Sequence, residues 1–172
     1  METTGTAEQN ETASPEVKIE IRELRTGDDA TAFRTLNEEW IVRHFVLEAK
    51  DRETLNNPEA MILRKGGHIY MVDCDGEEVG CVALIPMGNG VYELSKMAVS
   101  PKLRGLGIGR TLLQYAIAQA RLIGATSLFL GSSKKLPSAV HLYESIGFSH
   151  VLAERLPPMH YARADVFMEM TL

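Results

Sequence analysis

The sequence predicts an α/β fold in which helices are layered on one sheet. Seven short runs have the apolar alternation or the continuous apolar character of strands, at residues 17–24, 68–74, 78–86, 91–99, 127–130, 148–154 and 165–171. About four helical segments lie between them, and the strongest, residues 108–123, repeats apolar residues along one face. Such an arrangement of strands and helices is typical of a layered α/β domain.

Composition limits the class of protein. The chain has 172 residues, of which 45% are hydrophobic and 24% charged, as in ordinary globular domains. Residues 1–16 are polar, and we expect a disordered tail there, followed by a single domain of residues 17–172. The net charge of −5 disfavours a nucleic-acid binder. No apolar run approaches the roughly 18 residues that span a bilayer, so no membrane partner is expected.

The two cysteines lie on the two arms of a predicted hairpin that turns at residues 75–76, an Asp-Gly pair. If Cys74 opposes Val79, then Cys81 opposes Val72, so the two thiols are not directly paired. No further metal ligands with matching spacing lie nearby, so we expect no metal site. Two free thiols fit a reducing compartment, which predicts a cytoplasmic location.

The remaining elements follow from spacing and from turn residues. Residues 26–29 form a turn with helix-capping acids, and the apolar spacing of residues 30–49 is helical. We expect this helix to break near Leu36 and Asn37. An Asn-Asn-Pro break at residues 56–58 precedes a short helix. The next helix after residue 123 begins at Pro137, is predicted to be capped by Ser138, and ends at Gly147.

The run over residues 91–99 departs from strand alternation. Tyr92 and Leu94 share one face, whereas the next apolar residues, Met97 and Val99, have the opposite parity. A one-residue bulge between the two pairs would place all four side chains on one face. A strand buried on both faces explains the pattern equally well.

The segment that follows places Gly105, Gly107 and Gly109 between this strand and the strongest helix. Glycine allows the backbone to approach a ligand closely, and the unpaired N–H groups at a helix start bind phosphate. Arg104 and Arg110 flank the loop and add charged donors. The spacing does not match a dinucleotide fingerprint, because the third glycine position is Arg110, and the chain contains no nucleotide-triphosphate loop. A glycine-rich turn without a ligand is the alternative.

Read as Arg-x-x-Gly-x-Gly over residues 104–109, this loop resembles the pyrophosphate loop of the GNAT family of acyl-CoA N-acyltransferases. Residues 91–99 are similar to the family's strand that leads into the loop. Residues 139–148 contain Leu-Tyr-Glu-x-x-Gly-Phe, which resembles the end of a later helix of the family. Three motifs in the family's order, over residues 90–148, identify the chain as a member of it.

The resemblance implies a mixed, mostly antiparallel sheet of about seven strands, with a splayed parallel pair at a cofactor cleft. It also implies an enzyme that transfers an acetyl group from acetyl-CoA to a primary amine, on a small molecule or a peptide, directly within a ternary complex. A catalytically silent CoA-binding sensor or interaction module is the alternative. The resemblance leaves a homodimer through exposed strand edges open.

The resemblance assigns roles residue by residue. Glu93 is the candidate base for the acceptor ammonium, directly or through a water held by Ser95, and an exposed strand carboxylate is the alternative. Tyr143 is the candidate proton donor to the leaving thiolate, and a core tyrosine is the alternative. The expected cofactor-binding residues are Met97, Ala98, Val99, Arg104, Gly105, Leu106, Gly107, Ile108, Gly109, Arg110, Ser138 and Tyr143.

One position departs from the family pattern, and the acceptor pocket is weakly patterned. Leu136 stands where many relatives carry an asparagine that contacts the cofactor, and Ser138 is expected to replace that contact. By resemblance, the acceptor pocket lies between the loop of residues 155–164, which contains His160 and Tyr161, and the early helix around residues 38–40. The two glutamates there, Glu38 and Glu39, are equally consistent with a solvated helix face.

Overall fold

The computed structural model describes residues 17–156 and 162–172, so the expected tail and the loop residues His160 and Tyr161 lie outside the described residues. The strands are β1 (Ile19–Leu24), β2 (His68–Cys74), β3 (Glu77–Gly88), β4 (Val91–Val99), β5 (Ser127–Ser132), β6 (Ser149–His150) and β7 (Val166–Thr171). The helices are α1 (Thr31–His44), α2 (Ala49–Asn56), α3 (Pro58–Met61), α4 (Ile108–Leu122) and α5 (Pro137–Ile146). None of these helices is long and apolar enough to cross a bilayer.

The strands form one sheet with the order β1-β2-β3-β4-β5-β7-β6. Every neighbouring pair is antiparallel except β4 and β5, which are parallel. This confirms the predicted fold class, a mostly antiparallel sheet with one parallel pair. The described residues contain five α-helices rather than about four, because α2 forms over Ala49–Asn56, mostly beyond the helical spacing of residues 30–49.

Helices cover both faces of the sheet, as the alternation along β2 demonstrates. Tyr70 and Val72 pack in a core with Leu112 and Leu113 of α4. Ile69 and Met71, at the intervening positions, pack in a second core with residues of α1 and α2. Because side chains of a strand alternate between faces, the continuous apolar character of β2 reflects burial on both sides.

The predicted break near Leu36 and Asn37 is wrong, since α1 continues to His44. Asn37 is buried within the helix, where its amide donates a hydrogen bond to the Phe33 carbonyl at 2.9 Å and contacts the Cys81 sulfur at 3.3 Å. Tertiary contacts therefore satisfy a residue that otherwise favours helix ends. The helix stops instead at Phe45, whose backbone is extended. The break at residues 56–58 and the short helix after it are confirmed.

Two details of the antiparallel strands differ from expectation. The hairpin turns at residues 75–76 as predicted, but the two-residue turn places Cys74 opposite Glu77, and beyond a register shift between Val72 and Asp73 Cys81 opposes Met71. Both cysteines are free thiols, as predicted. The predicted strand over residues 148–154 is reduced to the two residues of β6, which pair with β7.

The predicted bulge in β4 is confirmed. Ala83 of β3 pairs with Ser95 and Cys81 pairs with Ala98, so Lys96 and Met97 together oppose one residue of β3. Lys96 adopts a positive φ of 54°, a conformation that non-glycine residues rarely take. Consequently Tyr92, Leu94, Met97 and Val99 all pack in the core that includes α4.

The parallel pair is short, which opens a cleft. β4 and β5 pair only over residues 91–93 and 127–129, although β4 continues to Val99 and β5 to Ser132. The two strands therefore separate after Glu93, and the edge of β4 that would otherwise pair with β5 faces the cleft. This agrees with the splayed pair implied by the family resemblance.

Gly90 lies close to Thr126 where the pairing of β4 and β5 begins, and substitution of Gly90 tests this close approach. Gly88 and Gly90 both have positive φ, but a Cβ at Gly90 would lie 2.7 Å from Thr126 Oγ1, whereas one at Gly88 would meet no described residue other than its chain neighbours within 4 Å. We expect Gly88→Ala to lower the free energy of unfolding by about 1 kcal/mol through backbone strain alone. Gly90→Ala should cost about 1–2 kcal/mol more, from overpacking.

Urea denaturation of the two variants and of Gly90→Ala in a Thr126→Ala background measures the difference. Removing the Thr126 side chain should bring the cost of Gly90→Ala down to that of Gly88→Ala. If Gly88→Ala and Gly90→Ala lower the free energy of unfolding equally, the close approach of Gly90 to Thr126 is contradicted.

Candidate active site

A cavity of about 120 Å³ opens where β4 and β5 separate. Side chains of α1, β4 and α5, the residues that follow β5, and the segment after residue 161 form its walls. The cavity brings together five of the site positions singled out in the sequence: Glu93, Ser95, Met97, Leu136 and Tyr143. Trp40, which was assigned to the acceptor pocket, also lines it.

The glycine loop lies between β4 and α4, and its geometry fits a phosphate-bearing ligand. Gly105 and Gly107 adopt φ values of 78° and 76°, and among the described residues no other atom lies within 4 Å of a Cβ built on either. Gly107 is the N-cap of α4, and no side chain caps the helix start. Backbone N–H groups at such a start, with the positive end of the helix dipole, are donors for an anion.

The side chains around this loop have different surroundings. Arg104 is exposed, whereas Arg110 donates a hydrogen bond to Ser145 of α5 at 3.1 Å, which ties the loop to that helix. Ser138 is exposed and lies inside α5; the helix begins after Leu136, without a side-chain cap. The prediction that Ser138 caps this helix is therefore wrong, because Pro137 already occupies the first helical position.

Tyr143 is half-buried on α5 and packs edge-on against Phe148, with ring centroids 5.9 Å apart. Burial raises the pKa of its hydroxyl to about 12. The hydroxyl therefore stays protonated at neutral pH and can donate a hydrogen bond or a proton within the cavity.

The acidic residues assigned to the early helix have a simpler explanation. Glu38 lies 3.8 Å from Arg34, and Glu39 lies 2.9 Å from Arg43, in pairs one helical turn apart on α1. Such exposed pairs contribute little to stability. Both glutamates belong to the charged outer face of α1, and neither lines the cavity.

Sequence analysis missed a buried group of charges at the cavity wall. Lys96 Nζ lies 2.7 Å from Asp51 Oδ1, and their side chains are 3% and 0% exposed. Arg163 donates to both carboxylate oxygens of Asp51, at 2.7 and 2.8 Å, and to Glu48 at 3.0 Å. Lys96 and Arg163 line the cavity, whereas Asp51 and Glu48 lie behind them.

Asp51 is the centre of this group. Its carboxylate accepts the Glu48 backbone N–H at 2.9 Å, which forms part of the capping box at the start of α2. Burial alone would raise the pKa of Asp51, but hydrogen bonds from Arg163 and Lys96 outweigh it and lower the pKa to about 2. Burial lowers the pKa of Lys96, and the bond to Asp51 opposes that shift. Asp51 is therefore ionised at neutral pH.

No local pattern could have found this group. Asp51 and Lys96 are 45 residues apart, and Asp51 and Arg163 are 112 apart. The one available signal was the polar Lys96 at the centre of the irregularity in β4. A lysine at a bulge in a buried strand requires a buried partner.

Comparison with known proteins identifies the family. The model of the acetyltransferase (GNAT) family matches residues 31–148, which contain the loop, the bulged strand and α5. The chain belongs to this family. An N-acetyltransferase of Schizosaccharomyces pombe is 32% identical over 139 residues, covering 76% of this chain and 82% of the relative.

Solved structures of GNAT proteins and other acetyltransferases share the fold. An acetyltransferase from Streptococcus agalactiae superposes with a TM-score of 0.78 at 20% identity, over 90% of this chain and 98% of that one. The PaiA N-acetyltransferase from Thermoplasma acidophilum, solved with coenzyme A, superposes with a TM-score of 0.68 at 19% identity, over 90% and 99% of the two chains.

The importance of the buried carboxylate can be tested by Asp51→Asn. We expect the free energy of unfolding at pH 6 to fall by about 3–5 kcal/mol, because two cations then lose their buried partner. The control is Glu39→Gln, which removes an exposed partner of Arg43 and should change stability by less than about 0.5 kcal/mol. Similar losses in the two variants, measured by urea denaturation, would contradict the role given to Asp51.

The Asp51→Asn variant also tests how the stability that Asp51 contributes depends on pH. Because the folded-state pKa of Asp51 lies below its unfolded value, the unfolded chain binds more protons between about pH 4 and pH 2. The stability from Asp51 is therefore present above about pH 5 and lost on acidification. We expect the difference between wild type and Asp51→Asn to be about 1 kcal/mol smaller at pH 3 than at pH 6. If the difference in unfolding free energy between the two proteins is the same at pH 3 and at pH 6, Asp51 is not held ionised by its partners.

Proposed function

We propose that this protein transfers an acetyl group from acetyl-CoA to a primary amine, by direct transfer within a ternary complex. The observation that carries the proposal is that Glu93 and Tyr143 line the same cavity, which lies where β4 and β5 separate. Beyond this point β4 leads to the glycine loop and the start of α4. We place the reaction in the cytoplasm, since Cys74 and Cys81 are free thiols.

The glycine loop is the proposed diphosphate site. Backbone N–H groups between Arg104 and Arg110 are the proposed donors, the lack of side-chain bulk at Gly105 and Gly107 leaves room for a ligand, and family membership supports CoA there. Coenzyme A bound to the Thermoplasma protein of the same fold also supports it. The edge of β4 over residues 97–99 offers main-chain groups to the pantetheine arm, because β5 has separated from β4 at that point. When bound, acetyl-CoA supplies the thioester that carries the acetyl group.

Glu93 is the proposed base. An alkyl ammonium with a pKa near 10 is only about 0.1% neutral at pH 7, which costs roughly 4 kcal/mol unless a base removes its proton. Glu93 lies at the last paired position of β4 and lines the cavity, so its carboxylate stands where the two strands separate. Ser95 lines the same cavity and can hold a water between the carboxylate and the amine.

Tyr143 is the proposed proton donor. Its hydroxyl holds its proton at neutral pH, because burial raises its pKa to about 12. The thiolate that leaves the acetyl group accepts a charge-assisted hydrogen bond from this hydroxyl. Because a thiol is a stronger acid than a hydroxyl with this pKa, a proton that passes from Tyr143 to the sulfur has to be replaced from solvent. Tyr143 of α5 and Glu93 of β4 line the same cavity from different elements, which supports separate roles for the base and the acid.

We expect Tyr143→Phe to lower kcat about a hundredfold, because the leaving sulfur then lacks its donor. The dissociation constant for acetyl-CoA should change less than about twofold, since packing against Phe148 is retained. The release of free CoA, measured in a stopped assay, gives kcat, and calorimetry gives the dissociation constant for acetyl-CoA. Tyr115→Phe is the matched control, because Tyr115 packs against Tyr70 away from the cavity and should retain wild-type kcat. An unchanged kcat in Tyr143→Phe would remove this residue from the mechanism.

Arg104→Ala tests the diphosphate site. We expect wild type to bind acetyl-CoA and the variant to bind about tenfold more weakly, because an exposed charged donor at the loop is lost. Arg121→Ala removes an exposed arginine from the opposite end of α4 and should bind as wild type does. Equal affinity of wild type and Arg104→Ala would place the diphosphate elsewhere, and tight binding without transfer to any amine would favour the silent CoA-binding module.

A further inference from the structure

The wall that α1 contributes to the cavity is apolar. Trp40, Ile41 and Phe45 line it, and the rings of Trp40 and Phe45 lie with their centroids 6.0 Å apart. Asn37, the polar residue of α1 in this wall, is buried, and its amide is already held by contacts within the protein. The two glutamates of α1 lie on the outer face of the helix. The α1 side of the cavity therefore offers hydrophobic contact rather than charge.

The charges at the cavity have a negative sum. Glu93, Lys96 and Arg163 line it. Lys96 and Arg163 both donate hydrogen bonds to Asp51, and their charged ends are thereby directed away from a ligand. Arg163 also donates to Glu48. Three acidic side chains are thus combined with two basic ones, so a ligand with one positive charge balances the group and an added anion does not.

We infer that the acceptor is a primary amine carried by an apolar group, such as an arylalkylamine, without a carboxylate or a second amine. The inference rests on the proposed function, because it names the acceptor class for the same cavity. The ammonium is placed toward Glu93 and the apolar group against the rings of Trp40 and Phe45. These two aromatic residues are then specificity-determining residues.

Both rings have surface left for a ligand. Trp40 and Phe45 are half-buried, so each keeps apolar area that a bound group would remove from water. Aromatic side chains supply large contact areas and favour other rings in tilted or offset arrangements. Lys135 Nζ lies 5.7 Å from the centroid of the Phe45 ring, but this side chain is exposed and does not line the cavity. Solvent therefore screens its charge.

Other amine acceptors fit this surface less well. An amino acid would bring a carboxylate to a group in which acids already exceed bases. A diamine or polyamine would place a second ammonium against the wall of Trp40 and Phe45, where no charge compensates it and part of its hydration is lost.

The test measures amine binding to the full-length protein in excess CoA, by calorimetry and by the emission of Trp40, which is the one tryptophan of the chain. Two matched pairs of probes are used: phenethylamine with L-phenylalanine, which adds a carboxylate, and pentylamine with 1,5-diaminopentane, which adds an amine. We expect phenethylamine and pentylamine to bind at least about tenfold more tightly than their partners and to change the emission of Trp40.

Equal or tighter binding of L-phenylalanine or of diaminopentane would overturn the inference, as would no binding of either apolar amine. L-Phenylalanine amide represents the terminus of a peptide. Tighter binding of this amide than of phenethylamine would point to a peptide acceptor and would also overturn the inference.

Variants assign the preference to its residues. Trp40→Ala should weaken phenethylamine binding about tenfold, and Trp40→Phe should restore most of the affinity, since it keeps a ring. Val42→Ala is the control, because Val42 is an exposed apolar residue of α1 outside the cavity and should bind as wild type does. Unchanged affinity in Trp40→Ala would contradict the role of Trp40. An unchanged circular dichroism spectrum verifies folding, and if Trp40→Ala does not fold, the paired probes on wild type still decide.

Release of free CoA from acetyl-CoA, measured with the same probes, separates this inference from the proposed function. Faster acetylation of L-phenylalanine or diaminopentane than of the apolar amines would leave the transferase function standing and overturn the inference. Preferential binding of the apolar amines without transfer to any amine would support the assigned ligand class and contradict the transferase function.

Discussion

The organisation of the site depends on the buried ion pair between Lys96 and Asp51. Lys96 is the bulge residue of β4, and Asp51 lies in the first turn of α2, so the 2.7 Å contact fastens the irregular point of the sheet to the helical layer beside it. Loss of either partner would leave a charge buried without compensation, which is far more costly than loss of an exposed pair. The same contact holds Arg163 at the cavity, because Asp51 is shared by both cations.

The bulge gives one strand two roles. Before it, β4 pairs with β5 and carries Glu93; after it, β4 leads toward the loop at the start of α4. A regular strand would place Met97 and Val99 on the face opposite Leu94, away from the core that includes α4. The positive φ of Lys96 carries a conformational cost, and strain of this kind is commonly found at functional sites. The ion pair to Asp51 helps to offset that cost.

Local patterns were sufficient for most of the fold, because those features lie within short stretches of sequence. The bulge was visible in the parity of four apolar residues, and α4 in its apolar stripe. The errors arose where distant contacts decide. Asn37 remains helical because Phe33 and Cys81 satisfy its side-chain amide. The contact between Asp51 and Arg163 joins residues 112 positions apart, so no spacing rule could predict it.

The cost of the charge network indicates what it is for. A gap between α2, β4 and the segment after residue 161 could be closed by apolar side chains with a smaller desolvation penalty, and buried ion pairs are often no more stable than apolar replacements. Apolar side chains would not, however, join α2 to the bulge of β4 and to Arg163 by directional hydrogen bonds of 2.7–2.8 Å. Asp51 and Glu48 compensate the two cations of the network from behind, so the chain keeps them charged and oriented at a buried surface. The network therefore fixes the position of Lys96 at the bulge of β4 and of Arg163 at the cavity wall.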